Sequence, residues 1–250
     1  MIVRYLDEIV NRQINRWNSI TQALRYEPGA REAQAPEGEK SGQIHPVICI
    51  SRELGSGARV IAQEVCRRLG YEIFGSAIID EIAKDLKVQR KLVDCLDESG
   101  QGSLEMILET FLHGRELESQ EYFTSLVRVI NTLAMKGGVV LFGRGSTFIL
   151  KQKSALNVLV VAPLELRVRR LSLYEKLDAK SAREKVLHYD REREAFVHRY
   201  FHENIHSPAN FDLAINTDRV APEEGAKLVF AALEARGLSL ERLAIAEAVH

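Results

Sequence analysis

Four short apolar runs, separated by stretches of helical periodicity, constrain this chain more than any other feature. Val47–Ile50 (VICI), Val139–Phe142 (VVLF), Asn157–Val161 (NVLVV) and Asp212–Ile215 (DLAI) lack polar alternation, which is the pattern of strands buried on both faces. Arg59–Leu69 has helical spacing and runs into Gly70, a suitable C-cap, while Ser76–Leu86 opens on a good N-cap residue. Residues 103–112 and 119–136 read as a long helical insertion (about 76–136) ahead of the second strand. Pro163 opens a helix through about Lys176, and Ser181-x-x-Glu184 has the form of a capping box for a helix to about Tyr200. Pro222–Glu234 ends near Gly237, and residues 237–250 read as a tail helix. Strands that alternate with helices require a parallel sheet with right-handed crossovers. The expected fold is therefore α/β, a three-layer α/β/α domain with a mostly parallel sheet over residues 46–236.

Outside that domain, residues 1–26 carry an apolar stripe at helical spacing, including Leu6, Val10, Ile14 and Trp17. Residues 27–45, rich in Pro, Gly and Glu, read as a linker. The helix is expected to pack on the body or on a second copy of the chain, which makes a homo-oligomer possible. Charge narrows the partners. Over 250 residues, 34 Lys+Arg stand against 35 Asp+Glu for a net charge of −1, so there is no basic excess to neutralise a nucleic-acid polymer. No apolar stretch approaches the roughly 20 residues that span a bilayer, and the first residues lack a signal-peptide core. Cys49, Cys66 and Cys95 form no C-x-x-C pair. That usage points to the reducing cytoplasm and away from structural zinc.

Chemistry concentrates in three places. Ser51–Arg59 (SRELGSGAR) joins the first strand to the first helix; Gly55 and Gly57 allow backbone N–H groups to turn toward an anion at the positive end of the helix. Its letters do not satisfy G-x-x-x-x-G-K-[ST], because Arg52, Ala58 and Arg59 fill the first-glycine, lysine and hydroxyl positions. Either arginine could supply the charge of the absent lysine; otherwise the stretch is a tight strand-to-helix turn. Gly143-Arg144-Gly145 follows the VVLF strand, where ligands of parallel sheets gather. There Arg144 either clamps a phosphate or is a solvated turn residue. Arg167, Arg169 and Arg170, then Asp190, Arg193 and Arg199, form an arginine-rich run. Such a run is an ordinary solvated face or, beside two phosphate-binding loops, a lid that stabilises a transferring phosphoryl group. His188, His198, His202 and His206 cluster nearby. A zinc site and a polar surface helix both fit them; the stretch Glu203–Pro208 argues that the helix ends before His206.

Taken together, VICISRELGSGARVIA, VVLFGRGSTFIL, NVLVVAPLELRVRRL, Asp190-x-x-Arg193 and YFHENIHSPANFDLAINT resemble the cytidylate kinase-like family, a branch of the P-loop nucleoside monophosphate kinases, over about residues 46–236. The resemblance implies ATP with Mg²⁺, small nucleotide substrates, phosphorylation of CMP or dCMP, a helical monophosphate-binding insertion and an arginine-bearing lid at about 167–206. Carried over by position, Arg52 and Gly55, Ser56, Gly57, Ala58 and Arg59 would hold nucleotide phosphates. Arg144, Arg167, Arg170 and Asp190 would hold the acceptor, with Arg59, Arg169 and Arg193 neutralising the transferred group; no metal-ligating residue is assigned. Ala58 stands in the lysine position, Gly145 in that of an aspartate, and Phe74-Gly75 where relatives have Tyr-Asp. Those departures leave two other expectations open: a nucleotide-binding regulatory protein without phosphoryl transfer, and a kinase with a non-nucleotide acceptor.

Overall fold

The computed structural model describes residues 46–84, 117–150 and 155–238. The N-terminal helix and linker, the helix expected at 103–112 and nearly all of the tail lie outside these residues. In chain order the elements are β1 (Val47–Arg52), α1 (Ala58–Leu69), β2 (Glu72–Gly75), α2 (Ser76–Lys84), α3 (Leu117–Lys136), β3 (Val139–Phe142) and α4 (Ser146–Ile149). There follow β4 (Ala155–Val161), α5 (Leu164–Glu175), α6 (Ala179–Phe201), a 3-10 turn at Pro208–Asn210, β5 (Leu213–Asn216) and α7 (Pro222–Ala235). Two compact units result: His45–Ser76 with Leu133–His250 carries the sheet, and Ala77–Thr132 belongs to the other. Within the latter, Tyr122 donates to Asp80 Oδ1 at 2.8 Å and ties α3 to α2.

The sheet has five parallel strands in the order β2-β3-β1-β4-β5. The α/β expectation holds, including all four apolar runs. Val47 through Ser51 are buried in succession, so both faces of the central strand are covered. On one face Ile48 and Ile50 pack with Val158 of β4, with Ile61 and Val65 of α1 and with Val229 and Leu233 of α7. The α1 residues recur at the spacing of one helical face, and Gly70 ends the helix in the left-handed conformation, its N–H returned to the Cys66 carbonyl.

Two local readings needed the tertiary structure. Strand β2 is a fifth strand beyond the four expected; it is four residues long, largely half-exposed and paired only to β3. The capping residue of α6 is Asp178, not Ser181. Its carboxylate accepts from the amides of Lys180 and Ser181 at 3.0 Å each, and Ser181 Oγ joins it at 2.6 Å. A carboxylate one turn earlier takes the orphan amides first, so the helix starts at Ala179.

Candidate active site

Because β1 lies beside β3 and both run the same way, the loops that follow them emerge side by side at one sheet edge. This is where open α/β sheets bind ligands. Gly57 caps α1 at φ 82° with no side-chain cap; the Val60 amide returns to the Gly57 carbonyl at 3.0 Å, and the helix offers its positive end at the amides ahead of it. The loop is pinned from three sides. Glu53 Oε2 accepts from the Ala162 amide at 2.9 Å and lies 3.3 Å from Arg167 Nε. The Ser56 carbonyl accepts from Thr217 Oγ1 at 2.6 Å and from Arg170 Nη1 at 3.3 Å. A Cβ on Gly55 would come within 2.6 Å of the Arg167 carbonyl oxygen, so the backbone passes where no side chain fits. Ala58, in the lysine position, is buried in the core beside Ile61, whereas Arg59 is exposed.

The arginines of α5 divide by helical geometry. Arg167 and Arg170, three positions apart, face inward, while Arg169 is exposed. Arg167 donates to the carbonyls of Ala162 at 2.9 Å and Leu54 at 3.5 Å and to the carboxylate of Asp190. Arg170 donates to Thr217 Oγ1 at 2.8 Å and to the Thr217 carbonyl at 3.1 Å. Asp190, besides meeting Arg167, accepts from the Leu54 amide at 3.5 Å. Arg167, Arg170 and Asp190, expected on the acceptor from sequence, thus lie off the cavity described next and tie α5 and α6 to the Gly55–Arg59 loop.

A cavity of about 550 Å³ opens at the ends of β1 and β3, with Arg52, Arg144 and Arg193 on its wall. The Arg52 guanidinium lies 4.3 Å above the Phe142 ring. It rests against Gly143, where a Cβ would come 2.0 Å from Nη1. Burial first, then the charges of Arg193, Arg144 and Arg59, push the Arg52 pKa down to about 9. Arg52, expected with the nucleotide loop, therefore stands in the same field as Arg144 and Arg193. Arg144 has φ 54° between Gly143 and Gly145 at 90° and 69°. Backbone strain of this kind costs a non-glycine residue about 1–2 kcal/mol and is concentrated at functional sites. Arg193 Nη1 is buried without a hydrogen bond, 3.5 Å from Asp190 Oδ1; burial is the main cause that lowers its pKa. Such a concentration of buried positive charge is stabilised by an anion.

Sequence reading missed the aromatic wall. Phe148, Tyr189 and Phe196 line the cavity with the arginines, and Arg144 lies 5.7 Å over Phe196. The signal was present, since Tyr189, Arg193, Phe196 and Tyr200 follow the three- and four-residue spacing of one helix face. Glu53 and Thr217 were also unmarked. The histidines meet α6 carboxylates or each other: His188 lies 3.4 Å from Glu192, His206 3.2 Å from Glu194, and the His198 and His202 rings are 6.4 Å apart. Helix α6 ends at Phe201, before His206, as read from the sequence. Cys49 and Cys66 have thiols pushed up to about 12, chiefly by burial, and behave as small apolar residues.

Comparison with known proteins gives a consistent kinship. A protein called cytidylate kinase from Ignicoccus hospitalis is 25% identical over 177 residues, 71% of this chain and 92% of that one. A second cytidylate kinase, from Staphylothermus marinus, is 29% identical over 92 residues, 36% of this chain and 51% of that one. The crystal structure of an uncharacterized protein from Eubacterium ventriosum superposes with a TM-score of 0.62 at 18% identity, covering 78% of this chain and 99% of that chain. Among the described residues no helix is long and apolar enough to cross a membrane. The cytidylate kinase-like family matches residues 47–219, and with the strand order and two-loop edge in place, the chain belongs to that family and so to the kinase-type phosphotransferases.

Proposed function

We propose that this protein transfers the γ-phosphoryl group of ATP to a nucleoside monophosphate, CMP or dCMP by kinship, seated in the arginine-walled cavity. The observation that carries this reading is the meeting of Arg52, Arg144 and Arg193 around one cavity beside the uncapped N-terminus of α1. The ATP phosphates lie on the amides of Gly55–Arg59, with exposed Arg59 adding the charge that buried Ala58 cannot. Arg144 and Arg52 hold the acceptor phosphate, and Arg193, carried on α6, faces the group in transit. An acceptor phosphate oxygen forms the new P–O bond while the bond to the β-phosphate oxygen breaks, and ADP leaves. Such a reaction needs positioning and charge rather than a covalent nucleophile. Arg169, exposed on α5, is given no role in this arrangement.

Kinship with kinases implies Mg²⁺, which neutralises charge on the nucleotide phosphates. The residues present suit the phosphates rather than the metal: Arg59 fills the hydroxyl position. Among the described residues no group of three or more His, Cys, Asp or Glu is arranged to hold a cation. The ion would therefore come with the nucleotide. The burial of Ala58 in the core also favours a second reading, nucleotide binding without transfer. Purified full-length protein, ATP with Mg²⁺, and CMP, dCMP, UMP and small non-nucleotide acceptors in an ADP-release assay separate the readings. Turnover with a monophosphate is expected. Saturable binding by calorimetry with no turnover at high enzyme concentration would establish the second, and turnover only with a non-nucleotide acceptor would replace the acceptor named here.

A further inference from the structure

We infer that Thr217, with Arg170 behind it, is a positioning residue for the nucleotide: it fixes the Ser56–Gly57 peptide so that the Gly57 amide is aimed at the ATP phosphates. This rests on the reading that the amides of Gly55–Arg59 take those phosphates. The Ser56–Gly57 peptide is trans, and in a planar trans unit the carbonyl and the N–H point in opposite directions. Whatever holds the Ser56 carbonyl therefore decides where the Gly57 amide faces. Thr217 Oγ1 lies 2.6 Å from that carbonyl oxygen and 3.4 Å from the carbonyl oxygen of Val161. A hydroxyl has a single proton, and the shorter contact takes it. Arg170 Nη1 donates to Oγ1 at 2.8 Å, so a charged donor polarises the hydroxyl toward Ser56. The same nitrogen reaches the Ser56 carbonyl at 3.3 Å.

The peptide needs such a hold. Gly57 has φ 82°, and glycine takes either sign of φ at little cost, so its own backbone does not prevent the Ser56–Gly57 peptide from turning over. The Thr217 bond selects one orientation. Its base is firm: the Thr217 amide donates to the Val161 carbonyl at 2.9 Å, and Arg170 Nη2 donates to the Thr217 carbonyl at 3.1 Å. The hydroxyl therefore stands on the residue that follows β5, tied to β4 and to α5, and groups carried by regular elements hold their place better than groups on loops. Ser56 is wholly enclosed, so a donor lost from its carbonyl is not replaced by bulk water. A Cβ on Gly57 would lie 2.7 Å from Cγ of Pro222 and 3.6 Å from Arg170 Nη1, which closes the loop in between α5 and the start of α7. Thr217 itself is 3% exposed with its hydroxyl engaged on both sides. It acts on the nucleotide through the loop rather than by touching it.

The test is calorimetry on full-length protein with ATP and Mg²⁺ and, separately, with CMP. Thr217→Val keeps the size of the side chain and removes the proton. ATP is expected to bind about 3- to 10-fold more weakly, the range of one net hydrogen bond. CMP should stay within about twofold, the tolerance of independent sites. Thr217→Ser, which keeps the hydroxyl, should return ATP affinity to within about twofold of the unaltered protein. In turnover, KM for ATP should rise by the same factor in Thr217→Val and KM for CMP should not. Unchanged ATP affinity in the folded valine variant overturns the inference. So does an equal loss for ATP and CMP, the mark of general loosening, and so does failure of Thr217→Ser to restore binding. If Thr217→Val does not fold, Arg170→Met, which leaves the hydroxyl in place and removes its charged donor, is judged by the same split between ATP and CMP. Unaltered protein that binds no ATP overturns the nucleotide reading and this inference together. Unaltered protein that binds ATP without transfer, with the split intact in the variant, overturns the transfer reading and supports the inference.

Discussion

Replacing Arg167 with alanine probes the joint on which the site depends. Its side chain is 8% exposed and lies 3.3 Å from Glu53 and 2.5 Å from Asp190, whose side chains are 17% and 18% exposed. Removing the guanidinium leaves the largely enclosed Glu53 without its cation, Asp190 with Arg193 alone at 3.5 Å, and the Ala162 and Leu54 carbonyls without that donor. Breaking a buried pair by deleting one partner costs about 3–5 kcal/mol. For a domain of this size each kcal/mol moves Tm by about 2–4 °C, so the midpoint should fall by about 6–20 °C. Urea unfolding at pH 7 with linear extrapolation measures the loss directly. Arg167→Lys should fall between, since an ammonium keeps the charge without the planar fork. In a double-mutant cycle with Asp190→Asn, the coupling should exceed about 1 kcal/mol. Because the same side chain fixes Leu54, kcat should drop along with stability. A loss under about 1 kcal/mol, the range of exposed ion pairs, would refute the reasoning: the bridge would then be a surface pair.

Two further outcomes follow from local geometry and charge. Gly143→Ala would place a Cβ 2.0 Å from Arg52 Nη1; the flexible arginine must leave its seat over Phe142, so KM for the acceptor should rise about tenfold or more while KM for ATP changes little, and an unchanged acceptor KM would remove Arg52 from the acceptor site. Glu64 has its pKa held down to about 2 by hydrogen bonds first from Arg67 and then from Arg68. It stays ionised when folded at a pH where the unfolded chain takes up a proton. Its contribution is thus present above the ordinary glutamate value of about 4.3 and is lost as pH falls toward 2. Glu64→Gln should reduce the difference in unfolding midpoint between pH 5 and pH 2.5, by a modest amount because the pair is solvent-screened.

Local pattern made the scaffold legible. Apolar runs of four or five residues announce strands in any context, and Gly70 and Pro163 punctuate helices through backbone preferences that act within a few residues. Strand β2 escaped because EIFG borrows its strand character from β3 alone. The letters of a capping box at Ser181 do not say whether a carboxylate upstream, here Asp178, takes the amides. The two glycine-flanked loops could be located from sequence for the same reason as the turns: their backbone demands are local.

By itself, then, the sequence determined an α/β domain with two anion-ready loops, a supply of arginines and a family. Which arginines serve which purpose was decided by tertiary structure. Arg52 and Arg144 lie far apart in the chain and share a cavity because β1 and β3 are neighbours in register, Ile50 opposite Phe142. Arg167 and Arg170 are turned into the protein because the face of α5 that carries them meets the Glu53–Ser56 backbone, Asp190 and Thr217. Phe201 packs against Gly145, where a Cβ would come 2.4 Å from its Cε2, for the same kind of reason. Periodicity specifies the face on which a residue stands; only packing specifies what that face meets, because the contact joins segments whose separation along the chain carries no trace of it.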